Sequence, residues 1–216
     1  MKHTVVACLL SAMMLISVAY ADVSLEYDLD GDQQPDQITV RFAQGGNYED
    51  SSFIPAQASV TLSDGGGKQD IEIPMATYTD VKTHQPDSTL DVTLEVLPER
   101  YFRDKIIIFR VNFEPQACGI TGGASYFAWA NNKLISGFMT ERSSEAGVYH
   151  VEDFVLFPPE SGRPDAVVVK TEFSNWDEQK EDYVVHTVDE QVYRWTHSAF
   201  VNEEEEYMEN QFKDEN

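Results

Sequence analysis

Ser125-Tyr126-Phe127-Ala128-Trp129-Ala130-Asn131-Asn132-Lys133-Leu134-Ile135-Ser136-Gly137-Phe138-Met139 decides the fold class. Two runs rich in aromatic and aliphatic side chains flank Asn131-Asn132, and asparagine tolerates the positive φ that a tight hairpin turn demands. The stretch predicts strands over 125–130 and 133–139 joined by that turn. Upstream, residues 89–97 and 105–113 read as another pair, joined by the 97–104 connection. Residues 58–62 and 70–75 flank Ser63-Asp64-Gly65-Gly66-Gly67-Lys68, a strong turn signal. Residues 36–42 alternate Ile38, Val40 and Phe42 with polar neighbours. Downstream, 165–173 and 182–195 form long arms around Asn175-Trp176-Asp177-Glu178. Helical periodicity is nearly absent. The chain is therefore expected to be all-β, built of successive antiparallel hairpins in a propeller-like, sandwich or barrel arrangement. Periodicity does not choose among the three.

The ends of the chain read differently. Lys2 and His3 precede an apolar run over 5–18, and Ala19-Tyr20-Ala21 has the small-x-small form of a cleavage site. That layout predicts a secretory signal over residues 1–21, and so a periplasmic or secreted protein. Ser11 and Ser17 interrupt the run, which is short against the roughly 20 apolar residues that a membrane anchor needs. Val5-Val6-Ala7-Cys8 lies before the apolar run, which does not suit a lipid-attachment box. No later run approaches membrane length, so no membrane span is expected after cleavage. Residues 22–201 then read as a single β-rich domain and 202–216 as an acidic tail opening with Glu203-Glu204-Glu205-Glu206. Four adjacent like charges favour an exposed tail or a frayed short helix. With Cys8 removed, Cys118 is the remaining thiol and no internal disulfide can form. The net charge of −23 repels nucleic acid and anionic membrane and favours divalent metals and cationic partners.

Most of the chemical information lies in Asp28-Leu29-Asp30-Gly31-Asp32-Gln33-Gln34-Pro35-Asp36. Acids fall on relative positions 1, 3, 5 and 9. Calcium takes six to eight oxygens at about 2.3–2.6 Å, and short carboxylates on alternate residues of a tight loop can converge on it. The expected metal ligands are Asp28, Asp30, Asp32, the backbone carbonyl of Gln34, and Asp36, with Ca2+ as the ion. The segment resembles the D-x-D-G-D-G-x-x-D loops of FG-GAP and VCBS repeat proteins, in which the loop precedes a strand. It is similar also to the first nine positions of an EF-hand, but position 12 is Thr39 rather than a bidentate glutamate. Gln33 stands where the repeat families carry glycine. A non-glycine at positive φ costs roughly 1 kcal/mol, so the expected affinity is in the extracellular range of about 10⁻⁴–10⁻³ M. A metal-free acidic turn is the competing reading.

A fainter echo of the same pattern, aromatic-x-Leu, a turn, Pro-Asp and a β-branched strand, runs from Phe154 to Val169 without the acids. For catalysis, Cys118 in a glycine-rich loop with His150 or His186 as base is the candidate, without a recognised signature. His84, His150, His186 and His197 lack metal-ligand spacing, and no carboxylate pair stands out for glycoside hydrolysis. Tyr126, Phe127 and Trp129 cluster in one hairpin, and Trp176, Tyr183, Tyr193 and Trp195 in another. Such aromatics serve the core or, where exposed, stack on sugars and anchor proteins. The overall likeness is to small periplasmic calcium-dependent inhibitor and immunity-like proteins. It implies a non-enzymatic β-domain that binds a cationic protein partner, such as a peptidoglycan hydrolase. The alternatives are a secreted hydrolase acting on polysaccharide or peptide, and an envelope module binding glycan through Trp129 or Trp176.

Overall fold

Asn131 and Asn132 adopt φ of 52° and 59°, the left-handed pair that lets two strands reverse without splaying. Hairpins of this kind make up the computed structural model, which describes residues 23–42, 56–73, 90–97, 102, 104–115, 122–145 and 148–204. In chain order the strands are β1 (Val23–Tyr27), β2 (Asp36–Phe42), β3 (Ala56–Thr61), β4 (Lys68–Ile73), β5 (Leu90–Val96) and β6 (Ile107–Pro115). They continue with β7 (Gly122–Ala130), β8 (Lys133–Glu145), β9 (Tyr149–Leu156), β10 (Ala166–Asp177), β11 (Asp182–Trp195) and β12 (Phe200–Asn202). A four-stranded sheet runs β1-β2-β3-β4, and an eight-stranded sheet runs β12-β11-β10-β9-β8-β7-β6-β5. Each strand pairs with its neighbours in sequence, so both sheets are antiparallel meanders, and neither closes into a barrel. The architecture is an all-β sandwich. Among the described residues no helix is long and apolar enough to cross a membrane.

The small sheet covers one half of the large one. Ile38, Val40, Ala58, Val60 and Ile73 pack on Phe109, Val111, Phe113, Phe127 and Trp129, with the Phe109 and Phe127 rings stacked at 4.8 Å. The opposite face of the same strands is also buried. Ile108, Tyr126, Ala128 and Phe138 meet Val167, Val169 and Trp195 in a second core. That core exists because the large sheet curls back on itself. Phe138 on β8 stacks 4.8 Å from Tyr193 on β11, although three strand spacings would separate them by roughly 14 Å in a flat sheet. Strand β7 therefore has both faces covered, which explains its run of Tyr, Phe, Ala and Trp without polar alternation.

One difference from the sequence expectation has a local cause. The turn of the long arms falls on residues 178–181, beyond the expected 175–178, and Asn175, Trp176 and Asp177 are strand residues. The Asp177 carboxylate accepts the amides of Gln179 and Lys180, an aspartate turn that resets where the chain reverses. Strands β1, β9 and β12 are additional to the expected set, and β1 alternates half-buried apolar with exposed polar residues. The expected signal segment and most of the acidic tail, from residue 205 on, lie outside the described residues, and Glu203 ion-pairs with Arg163 at 3.0 Å.

Candidate functional site

The acidic loop connects β1 to β2, and its backbone folds around its own carboxylates. Asp28 accepts the amides of Gly31 at 2.7 Å and Gln33 at 3.0 Å. Asp30 accepts the amide of Asp32 at 3.0 Å, and Asp32 accepts that of Gln34 at 2.7 Å. Gly31 and Gln33 both take positive φ, 84° and 69°. Gln33 thus occupies the conformation that glycine would adopt without strain.

Carboxylate oxygens of Asp28, Asp30 and Asp36 lie within 4.8 Å of one another. Asp36 is fully buried, and each of its oxygens accepts a backbone amide at 2.8 Å, one from Leu29 and one from Ser63. It ties the loop to the β3–β4 turn whatever else it holds. Asp30 is solvent-facing, and the Asp32 amide bond favours its charged form. Desolvation and repulsion from Asp32, Asp36 and Asp64 outweigh that bond and raise its pKa above the ordinary 3.8. Asp32 is not part of the trio, and its oxygens receive the Gln34 backbone amide and, at 3.2 Å, the Gln34 side-chain amide. Of the five expected ligands, the fold brings three side chains together and turns the fourth toward the fifth. A cavity of about 330 Å³ opens beside the loop, lined by Asp28, Asp30, Lys105, Trp129, Asn131 and Asn132.

The other candidates scatter. Cys118 and His84 lie outside the described residues. His150 on β9 sits 3.3 Å from Glu152. His186 is the extra residue of a β-bulge, where Phe173 pairs with Thr187 and Ser174 with Val185. Trp129 and Trp195 are core residues, whereas Trp176 is exposed. Sequence reasoning did not anticipate Asp104, whose carboxylate accepts the Trp195 indole N–H at 3.0 Å and also hydrogen-bonds His197. These three border a second cavity, of about 220 Å³, with Phe102, Pro164 and Asp165. No local motif marks that set, because it joins residues about 90 positions apart. Comparison with known proteins found no matching family model, no matching curated protein and no matching solved structure.

Proposed function

We propose that the loop at residues 28–36 binds Ca2+, and that the protein is an exported, non-enzymatic module that acts by binding a cationic protein. The observation carrying the metal reading is the convergence of Asp28, Asp30 and Asp36 within 4.8 Å. Oxygens held about 2.4 Å from one ion lie at most about 4.8 Å from each other, so the trio fits a common coordination sphere. Asp32 and the Gln34 carbonyl would complete the set once the ion competes for Asp32 with the Gln34 amides. Three like charges packed this closely repel without a cation.

Partner choice rests on charge. A surface with net charge −23 speeds encounter with cationic proteins and rejects polyanions. Peptidoglycan hydrolases are often cationic, and inhibition of one is the activity this reading favours. The amino-terminal signal layout supports an envelope or extracellular setting.

The test is melting of the exported protein, residues 22–216, in chelator and in millimolar calcium, beside Asp30→Ala/Asp32→Ala. Asp36 is left intact because its two buried amide bonds make it structural. At calcium about ten times Kd the wild type should gain about 1.4 kcal/mol, and the double variant should gain nothing. An equal response from both proteins would remove the loop from the account. Inhibition of muramidases, amidases and lytic peptidases at low salt then tests the partner class. Turnover of polysaccharide or peptide by the protein itself would replace it with the hydrolase reading.

A further inference from the structure

The cavity of about 220 Å³ lined by Phe102, Asp104, Pro164, Asp165, Trp195 and His197 is built by three separate segments, and hydrogen bonds lock them together. The Asp104 carboxylate accepts the Trp195 indole N–H at 3.0 Å and bonds the His197 ring. The Trp195 backbone amide donates to the Asp165 carbonyl at 2.7 Å. From the β7–β8 turn, the Asn131 side-chain amide donates to the His197 carbonyl at 3.0 Å. His197 takes a φ of 67°, an uncommon backbone for a non-glycine residue that persists where surrounding contacts fix it. Phe102 and Trp195 are buried and supply an apolar floor, with their rings 6.5 Å apart. Asp104 is half-buried above it, and Asp165 and His197 are exposed at the rim. The walls are thus preset by the fold.

We infer that this cavity is a socket for one lysine or arginine side chain of a protein partner. The inference rests on the cationic-partner reading above and gives that partner a point of attachment. Asp104 and Asp165 line the cavity, and none of its described lining residues is Lys or Arg. Counting His197 as charged still leaves two carboxylates against one imidazolium. The neighbouring cations are engaged or face elsewhere. Arg163 and Arg194 are held by Glu203 at 3.0 and 3.8 Å, and Arg194 alternates with Trp195 along β11, so it leaves from the opposite face. Lys105 lines the other cavity, with Asp28 and Asp30. Hydrogen bonds from Trp195 and from His197 hold the Asp104 carboxyl below its ordinary 3.8, which keeps it anionic at neutral pH. A metal ion suits the cavity less well, because Asp104, Asp165 and His197 do not converge as ligands. Among the described residues, Asp28, Asp30 and Asp36 are the set that does. Size narrows the occupant further, since drug-sized ligands fill roughly 300–1,000 Å³. A long basic side chain lays its methylene stem on apolar surface and keeps its charged head among polar groups, and carboxylates give that head charge-assisted hydrogen bonds.

The Trp195 indole N–H reports on the socket because it is bonded to Asp104, and its NMR signal is one of three from tryptophan. The probes are n-butylammonium, n-butylguanidinium, neutral n-butanol and a blocked pentapeptide with one lysine among glycines. Both cations and the peptide should shift the Trp195 signal saturably. The Trp176 signal should stay in place, and n-butanol should move neither. Asp165→Lys, at an exposed position, should abolish the response, and Asp165→Asn should weaken it about two- to fivefold. Equal shifts of Trp176 and Trp195, or a response that survives Asp165→Lys, would mean diffuse attraction to an acidic surface and overturn the socket. Binding of n-butylammonium with exclusion of the peptide would make a free amine the occupant and overturn the partner side chain. No shift with either cation would overturn the socket while leaving the cationic-partner reading to the hydrolase assays. Saturable shifts in a protein that inhibits no hydrolase would uphold the socket and remove that partner class. The wild-type titrations need no variant, so a misfolded mutant would not blunt the test.

Discussion

Phe127 on β7 and Trp176 near the end of β10 are aromatic residues of one eight-stranded sheet, yet the first is fully buried and the second faces solvent. Residue type does not distinguish them. What differs is the covering: β7 has the small sheet on one side and the returning strands β9–β12 on the other. Around Trp176, Val185 and Val188, toward the end of the β10–β11 arm, that covering is missing. The two regions teach that in this fold hydrophobicity alone does not predict depth. A strand's place between layers decides whether its aromatics hold the structure or are left free to contact something else.

Four substitutions probe that contrast. Phe127→Ala removes a ring stacked on Phe109 from a site covered on both sides and should cost about 3–5 kcal/mol, measured by denaturant unfolding. A loss under about 1 kcal/mol would mean the two-sided covering is loose. Gly137→Ala tests the same region by overfilling. A β-carbon there would clash with the Tyr126 carbonyl across the β7–β8 pair, for an expected loss of about 1–3 kcal/mol.

The third concerns the covering layer. Asp104 holds the Trp195 indole where it roofs the second core. Hydrogen bonds from Trp195 and His197 depress the Asp104 pKa below 3.8. A depressed carboxylate contributes stability that is fully present above its unfolded value and disappears as pH falls through its folded one. The gap in melting temperature between wild type and Asp104→Asn should hold at neutral pH and close below 3.8. Val188→Thr, on the bare arm, should stay within about 0.5 kcal/mol of wild type. A larger loss in thermal melts would show that the arm is covered after all.

Much of the strand pattern was legible because hairpin turns are local chemistry. Asn131-Asn132 located β7 and β8, and Ser63 to Lys68 located the β3–β4 reversal. The curl of the long sheet was not legible, since it depends on Phe138 meeting Tyr193 and Phe200 across strands far apart in sequence. Strand β7 hid its two-sided burial behind a plain apolar run. In the acidic loop, alternate spacing foretold that Asp28 and Asp30 converge, with Asp36 closing the group. It did not foretell that Asp32 turns to Gln34, nor that Asp36 spends both oxygens on buried amides. Spacing reports which residues can converge, whereas the amides that compete for them become visible only in the folded backbone.

The last strand of the long sheet, β12, is three residues long, and glutamates 203–206 follow it directly. An exposed sheet edge is a template on which another extended chain can add, and long bare edges invite fibrous association. β12 pairs with β11 only over Tyr193, Arg194 and Trp195, so residues 182–192 of β11 have no strand on that side among the described residues. The short strand thus blunts only the Trp195 end of that edge, and the stretch of β11 next to the 178–181 turn is where an added strand would find its template.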